Sequence, residues 1–453
     1  MSKNLRLLPL AGAVAAVVFS ANVLANEAAE VAATEMNLKP TDILTDGWQV
    51  NGYIRAGWRV NQHGVSTNNE YGKPDYRLAG TTGKNPNQVE FNISKNTTFQ
   101  NGVWSQLGVR AEYGNGDYSF YSSSGSEDVG KESEDNGAFE IKEAFIRLGG
   151  FSYLPENAEI WAGRRFLNRE AGLLSGEFWK QSSGVGFGYE QSGNGIAVVS
   201  VDVSEDNFGQ LGPKIANKTI HSLDFYSYNH NMLGGTINLD LKLMMAGDKD
   251  NFEPNEATDG IGAAITYKRD YYGLDGWTTT ALAYGQGLAA NRGVNFGQWS
   301  AGTSTTDRDD GSSIFFTSYG VLNINERWQM GSELTFLHGD AIWGLAQGKT
   351  VDRLLAAVRP TYKVNDNFRW EFTGSYGMEQ SNWGPEQNDI NVYAAEVAAV
   401  FTVNSDYFGR PQIKPFVTFI SKDETNPDAD WGTDGDLKDG NTFQFGVEAE
   451  IWF

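Results

Sequence analysis

The sequence predicts an all-β chain folded as a transmembrane antiparallel β-barrel, and three observations predict it. From Trp48 onward apolar and polar residues alternate with a period of two, as in a strand with one face toward an apolar medium. Past residue 25 no stretch approaches the ~20 mostly apolar residues of a membrane helix. The closing segment, FQFGVEAEIWF, sets Phe443, Phe445, Val447, Ala449, Ile451 and Phe453 on one face and Gln444, Gly446, Glu448, Glu450 and Trp452 on the other. Strands that cross a bilayer must close on themselves, because hydrocarbon offers no partner to an unpaired edge.

Residues 1–25 come first. Lys3 and Arg6 precede the apolar run Leu7 to Phe19, and Val23-Leu24-Ala25 has the cleavage-site spacing. This is the pattern of a secretory signal peptide cut after Ala25, since the run is too short to cross ~30 Å of hydrocarbon at ~1.5 Å per residue. Residues 26–47, opening NEAAEVAATEMN, form a short acidic, Ala-rich extension expected to fray.

Residues 48–453 are the barrel domain. In WQVNGYIRAGWRV, Trp48, Val50, Ile54, Ala56, Trp58 and Val60 take one face, and Gln49, Asn51, Tyr53, Arg55 and Arg59 the other. TINLDLKLM repeats the pattern, with Ile237, Leu239, Leu241 and Leu243 opposing Thr236, Asn238, Asp240 and Lys242. RWQMGSELTF and FRWEFTGSYGM repeat it again. Clusters rich in Asp, Asn and Gly, such as GDKDNFEPNEATDG, GTSTTDRDDGSS and NPDADWGTDGDLKDGN, are loops. Long polar loops alternating with short turns such as YKVND suit the two ends of an outer-membrane barrel. At roughly 22 to 25 residues per strand with its connection, the domain holds about 16 to 18 strands, a size that leaves an aqueous channel.

Composition excludes several functions. The formal net charge is −22, and loss of Lys3 and Arg6 with the leader takes it to about −24, which argues against a nucleic-acid partner. With no cysteine there is no disulfide, thiolate nucleophile or cysteine zinc site. His63, His221, His230 and His338 are scattered, without the spacing of a metal site. DKDNFEPNE is acidic enough to attract calcium, but it lacks the twelve-residue pattern with Gly sixth and Glu last. No G-x-S-x-G turn or Ser/His pairing supports an enzyme, and no cofactor is implied.

Two rings break the polar row: Tyr53 beside Arg55, and Trp452 beside Glu448 and Glu450. A ring turned toward water needs another apolar partner. Sugars offer one, because their C–H faces stack on rings while their hydroxyls seek charged hydrogen-bond partners. Packing under an inward-folded loop, or a place in an interfacial aromatic girdle, would satisfy a ring equally well.

The motifs NGYIRAG at 51–57, DYRL at 75–78, EIWAGRRFLNRE at 159–170, GRPQIKPF at 409–416 and the terminal EAEIWF resemble those of the maltoporins, the sugar-specific porins of Gram-negative outer membranes. The resemblance spans nearly all of residues 48–453. It implies an 18-stranded barrel, a homotrimer set in outer-membrane lipid, and facilitated diffusion of maltose and maltodextrins. It also implies a third extracellular loop, from near Phe166 to about Lys180, folded inward as a constriction. The family's lumen carries a line of aromatics flanked by ionic residues. Matched position by position, the aromatic path is Tyr53, Phe178, Trp277, Phe408 and Trp452, and the polar track is Arg55, Arg77, Glu90, Lys142 and Arg169. Trp452 then becomes a platform for sugar.

The chain also departs from the family. Gln88 stands where the path has a tyrosine, Phe178 where the best-known members have tyrosine, and Lys142 where arginine is usual. The segment SSSGSEDVGKESEDNG lacks the tryptophan that this loop usually lends to a neighbouring subunit, and Gly176 and Glu177 compete for the place of the constriction acid. A porin for another oligosaccharide and a general diffusion porin therefore stay open beside the maltodextrin reading. From other classes, a barrel enzyme and a secreted β-sandwich lectin remain alternatives.

Overall fold

A computed structural model describes residues 47–61, 64–65, 77–80, 87–114, 138–204, 214–252, 254, 256–296, 309–342, 347–382, 387–425 and 440–453. The expected leader, nearly all of the extension, His63 and the loop 115–137 lie outside these residues.

The strands are β1 (Trp48–Asn61), β2 (Gly64–Val65), β3 (Asn87–Thr98), β4 (Trp104–Gly114), β5 (Ala138–Gly149), β6 (Ala158–Ala171) and β7 (Phe178–Gln191). There follow β8 (Asn194–Ser204), β9 (Lys214–Met232), β10 (Gly235–Ala246), β11 (Asp259–Tyr271), β12 (Leu274–Gly287), β13 (Asn295–Phe296) and β14 (Ser312–Asn323). The last are β15 (Trp328–Asp340), β16 (Thr350–Asn365), β17 (Phe368–Ser381), β18 (Asn388–Thr402), β19 (Gln412–Glu424) and β20 (Gly440–Trp452). All twenty lie in one sheet; β2 and β13 are only two residues long, and the other eighteen build the wall. The wall closes where β1 pairs antiparallel with β3 on one side and with β20 on the other. Eighteen is the upper end of the range the pattern allows.

Burial is inverted relative to a water-soluble domain. On β20, Phe443, Phe445 and Val447 are 47%, 48% and 41% exposed, whereas Gln444 and Glu448 are 2% and 3% exposed. Apolar faces therefore point out to lipid and polar faces point into the lumen, where charges neutralise one another through ion pairs and hydrogen bonds. The period-two alternation follows directly from this arrangement. The terminal Phe453 is pinned outside the wall by backbone hydrogen bonds with Gly52 in both directions, at 2.7 and 3.1 Å. A Cβ at Gly52 would overlap the Phe453 ring, which explains the glycine.

One rim carries tight turns. At Ser192-Gly193, Leu233-Gly234 and Tyr272-Gly273 both residues have positive φ, the conformation that matches the twist of two-residue hairpins. The opposite ends of the strands are joined by longer connections, and among the described residues parts of three of them, 77–80, 165–184 and 288–296, are packed inside the barrel.

The third loop enters as a β-hairpin. β6 pairs with β5 only as far as Arg164, and β7 pairs with β8 only from Val185 onward. Between these limits the two strands pair only with each other along the wall order, so residues 165–184 leave the wall as a tongue with a tip at 172–177. The inward-folded segment expected from near Phe166 to about Lys180 lies within this tongue, and it is a hairpin in which regular strand continues to Ala171 and resumes at Phe178. Trp179, fully buried, docks the tongue among Ala264, Ala281, Ala283, Phe315 and Leu337 of the opposite wall. Beneath it Lys180 reaches Asp240 at 2.7 Å, and Lys242 pairs with Asp224 at 2.5 Å. β13 adds a parallel ladder to the tongue, with Asn295 opposite Gln181 and Phe296 opposite Ser182.

Candidate functional site

The site is built on neighbouring strands at the closure of the barrel. Tyr53 on β1 is the register partner of Trp452 on β20 and of Glu90 on β3. Because strand period fixes parity, all three side chains face the lumen together. The turn 403–411 brings Phe408 onto Trp277 of β12, with ring centroids 6.3 Å apart and planes at 25°. From the same turn, Arg410 lies 5.1 Å from the Trp452 ring centroid and donates from Nε to Glu450 at 2.5 Å. Trp277, Phe408, Trp452 and Tyr53 thus follow one another along the tight-turn rim, joined by Arg410.

Charges continue this row up the lumen. Arg55 and Arg59 both donate to one Glu448 oxygen, at 2.8 and 2.7 Å. On the next strands Gln88 donates to Glu90, Arg110 pairs with Glu90, and Arg110 also reaches Glu112 at 2.6 Å. The Arg110 guanidinium stands 5.2 Å from the Phe166 centroid. Arg169 stands 4.5 Å from Phe166 and 3.6 Å from Phe178. Cation and ring alternate at the root of the tongue, each guanidinium held partly by ring faces.

Lys142 sits close to this group. A bulge opposite Arg110 and Ala111 makes it the extra residue of β5, next to Glu143. Arg110, Lys142 and Arg169 then balance Glu90, Glu112 and Glu143 in sign. Such balance suits a neutral polar ligand better than an ion.

Other sequence-matched residues are placed differently. Arg77 is wholly buried, with Nη1 3.9 Å from Glu379, which Arg353 holds at 2.6 Å. Arg77 therefore fastens the inward segment 77–80 to the wall, apart from Arg55, Glu90 and Arg169. Of the two contenders for a constriction acid, Glu177 is 4% exposed and paired with Arg292, while Gly176 has φ 67° and open space around it. Neither presents a carboxylate to the lumen.

Sequence reasoning missed Arg110, Glu112 and Phe166. The first two were within reach of parity, since in WSQLGVRAEYG they alternate with Val109, Ala111 and Tyr113. Phe166 carried no such signal, because it lies where β6 turns inward. For the acidic loop DKDNFEPNE, the structure gives a single 3-10 turn at Lys249–Asn251 capped by Asp248. Among the described residues no group of three His, Asp or Glu is arranged to hold a metal.

Comparison with known proteins bears on the whole domain. The sequence profile described as LamB porin matches residues 48–453. A maltoporin of Vibrio cholerae is 26% identical over 428 residues, covering 89% of this chain and 94% of its own. Maltoporin 1 of Klebsiella pneumoniae is 22% identical over 369 residues, covering 78% of this chain and 85% of its own. Among solved structures, OccAB2 of Acinetobacter baumannii overlays with a TM-score of 0.48 at 10% identity, covering 90% of this chain and 98% of its own.

Proposed function

The chain belongs to the LamB porin family, a channel of the Gram-negative outer membrane rather than an enzyme, and from that premise we propose that maltose and maltodextrins diffuse through it along the row of rings. The supporting observation is the contiguous succession Trp277, Phe408, Trp452 and Tyr53, continued by Glu90, Arg110, Arg169 and Phe178. Stacked rings hold the C–H faces of successive sugar units, while the flanking carboxylates and guanidiniums exchange hydrogen bonds with the hydroxyls. Each contact is shallow, as transport requires: a site must be favourable to enter and easy to leave.

Blocking of ion current by maltotriose across a planar bilayer tests this reading. Trp452→Ala removes one platform and leaves the barrel closed, so open conductance should persist while block weakens. Block unchanged by the substitution would remove Trp452 from the path.

A second reading, another oligosaccharide, is favoured by Gln88 in the ring row and by the Arg169 guanidinium lying over Phe178. The same measurement with a panel of neutral oligosaccharides separates the two. Block by some other sugar and none by maltotriose would select the second reading.

Trimeric assembly is part of the proposal. Arg164 faces outward on β6 beside Val185, is exposed, and has no ion pair among the described residues. An arginine against lipid costs up to about 2–4 kcal/mol depending on depth, so a neighbouring copy is the better cover for this face. Native electrophoresis before and after heating reports the assembly, and a monomer before heating would refute it.

A further inference from the structure

Glu333 of β15 stands across the lumen from the root of the tongue. Its carboxylate is 3% exposed and has no ion-pair partner among the described residues. Its donors come mainly from the tongue tip: the Leu174 amide at 2.6 Å, the Ser175 amide at 3.1 Å and the Ser175 hydroxyl at 2.6 Å. Thr335 on its own strand supplies one more, at 3.2 Å. A carboxylate is acceptor-only with about four lone-pair sites, so the tip supplies most of what it can take.

The tip is shaped for this contact. A Cβ at Gly172 would overlap the Glu333 carboxylate and the Ser175 hydroxyl, so a larger residue there would displace the contact. The Gly172 amide donates to the Glu177 carbonyl at 2.9 Å, and the Glu177 amide donates to the Ser175 hydroxyl at 3.1 Å, which closes the turn around the contact. Leu173 and Leu174 pack on Ala79, Leu355 and Ala357 beside it. The other edge of the tongue is held independently. Arg292 pairs with Glu177, Asn295 Nδ2 donates to the Phe178 carbonyl at 3.0 Å, and the Gln181 amide donates to the Val294 carbonyl at 3.1 Å.

We propose that Glu333 is a positioning residue for conduction: its carboxylate latches the tongue tip to the far wall and thereby fixes the aperture beside Phe178. A buried carboxylate without a cation is tolerated only where hydrogen bonds satisfy it. Here three of the four satisfying donors belong to the one element whose position sets the opening. Removal of the carboxylate orphans two amides and a hydroxyl at the tip, which then gain by turning toward lumen water. The tongue edge from Glu177 onward, held by Arg292 and β13, stays in place while residues 172–176 swing.

The test reads open-channel current in planar bilayers without sugar, so its outcome is separate from that of the sugar path. Glu333→Ala should raise open-channel noise several-fold and broaden the conductance distribution, with the heat-dependent gel mobility of the folded barrel retained. Glu333→Gln keeps the shape and one acceptor, so it should restore most of the quiet current. Ser175→Ala removes a single donor and should fall between wild type and Glu333→Ala. With maltotriose added, the alanine variant should release sugar faster, because Phe178 no longer holds one position. Wild-type noise and conductance in a folded Glu333→Ala barrel would overturn the proposal. If that variant does not assemble, wild-type noise in Ser175→Ala would overturn it equally.

Discussion

At 3.6 Å from the ring centroid, the Arg169 guanidinium covers one face of Phe178. A sugar passing the tongue can stack only on the other face, and it meets a ring without a hydroxyl. Phe178→Tyr should therefore add one hydrogen bond, worth a net ~1 kcal/mol, to a stacking face that is otherwise unchanged. Since ~1.4 kcal/mol is tenfold, maltotriose should bind the variant up to several-fold tighter in a current-noise titration. Equal affinity would place the passing sugar beyond reach of the ring. At this scale legibility depended on parity. Tyr53 and Trp452 could be assigned to the lumen because a strand's period of two fixes the face of every residue in register. Arg77 sits in a loop, where no period applies, and its burial depends on Glu379 and Arg353 far along the chain. Glu177 is decided in the same way by Arg292.

Between residue and barrel, the elements that shape the passage are the tongue and the turn 403–411. The wall strands were legible because lipid on one side and water on the other imprint strict alternation, as in TINLDLKLM. The tongue erases that imprint. Trp179, Lys180, Gln181 and Ser182 are all buried, since both faces of the hairpin meet protein, and the run reads as irregular sequence. The turn shows how a wall glycine serves the path. Gly331 of β15 lies against the Tyr407 hydroxyl so closely that an added Cβ would overlap it. Tyr407 in turn meets Phe408 edge-on, with centroids 4.9 Å apart. Gly331→Ala should push Tyr407 aside, tilt Phe408 off Trp277 and weaken maltotriose block several-fold, with the barrel's gel mobility unaltered. Unchanged block would mean that the turn absorbs the methyl without moving Phe408.

For the molecule as a whole, charge is distributed unevenly along the sequence. The chain carries a net −22, yet the charges flanking the tongue's root cancel, with Arg110, Lys142 and Arg169 against Glu90, Glu112 and Glu143. The excess sits elsewhere. Loop 115–137 holds Asp117, Glu127, Asp128, Glu132, Glu134 and Asp135 against Lys131. Loop 425–439 holds Asp428, Asp430, Asp434, Asp436 and Asp439 against Lys438. Both segments lie almost wholly outside the described residues, and the prediction is that their acids face the channel mouth and concentrate cations there. Modest cation selectivity should result, and it should depend on salt in a particular way. Exposed charges act over about 10 Å at 0.1 M salt but only about 3 Å at 1 M. A field at a wide mouth is therefore screened away at high salt, whereas a field at the constriction would still be felt by ions within contact distance. Reversal potentials in a fixed KCl gradient, centred first at low and then at high concentration, should show cation preference at low salt falling toward none at high salt. Anion preference at low salt would show that the guanidiniums outweigh the acids. Cation preference undiminished at high salt would move the selective charges from the loops to the tongue.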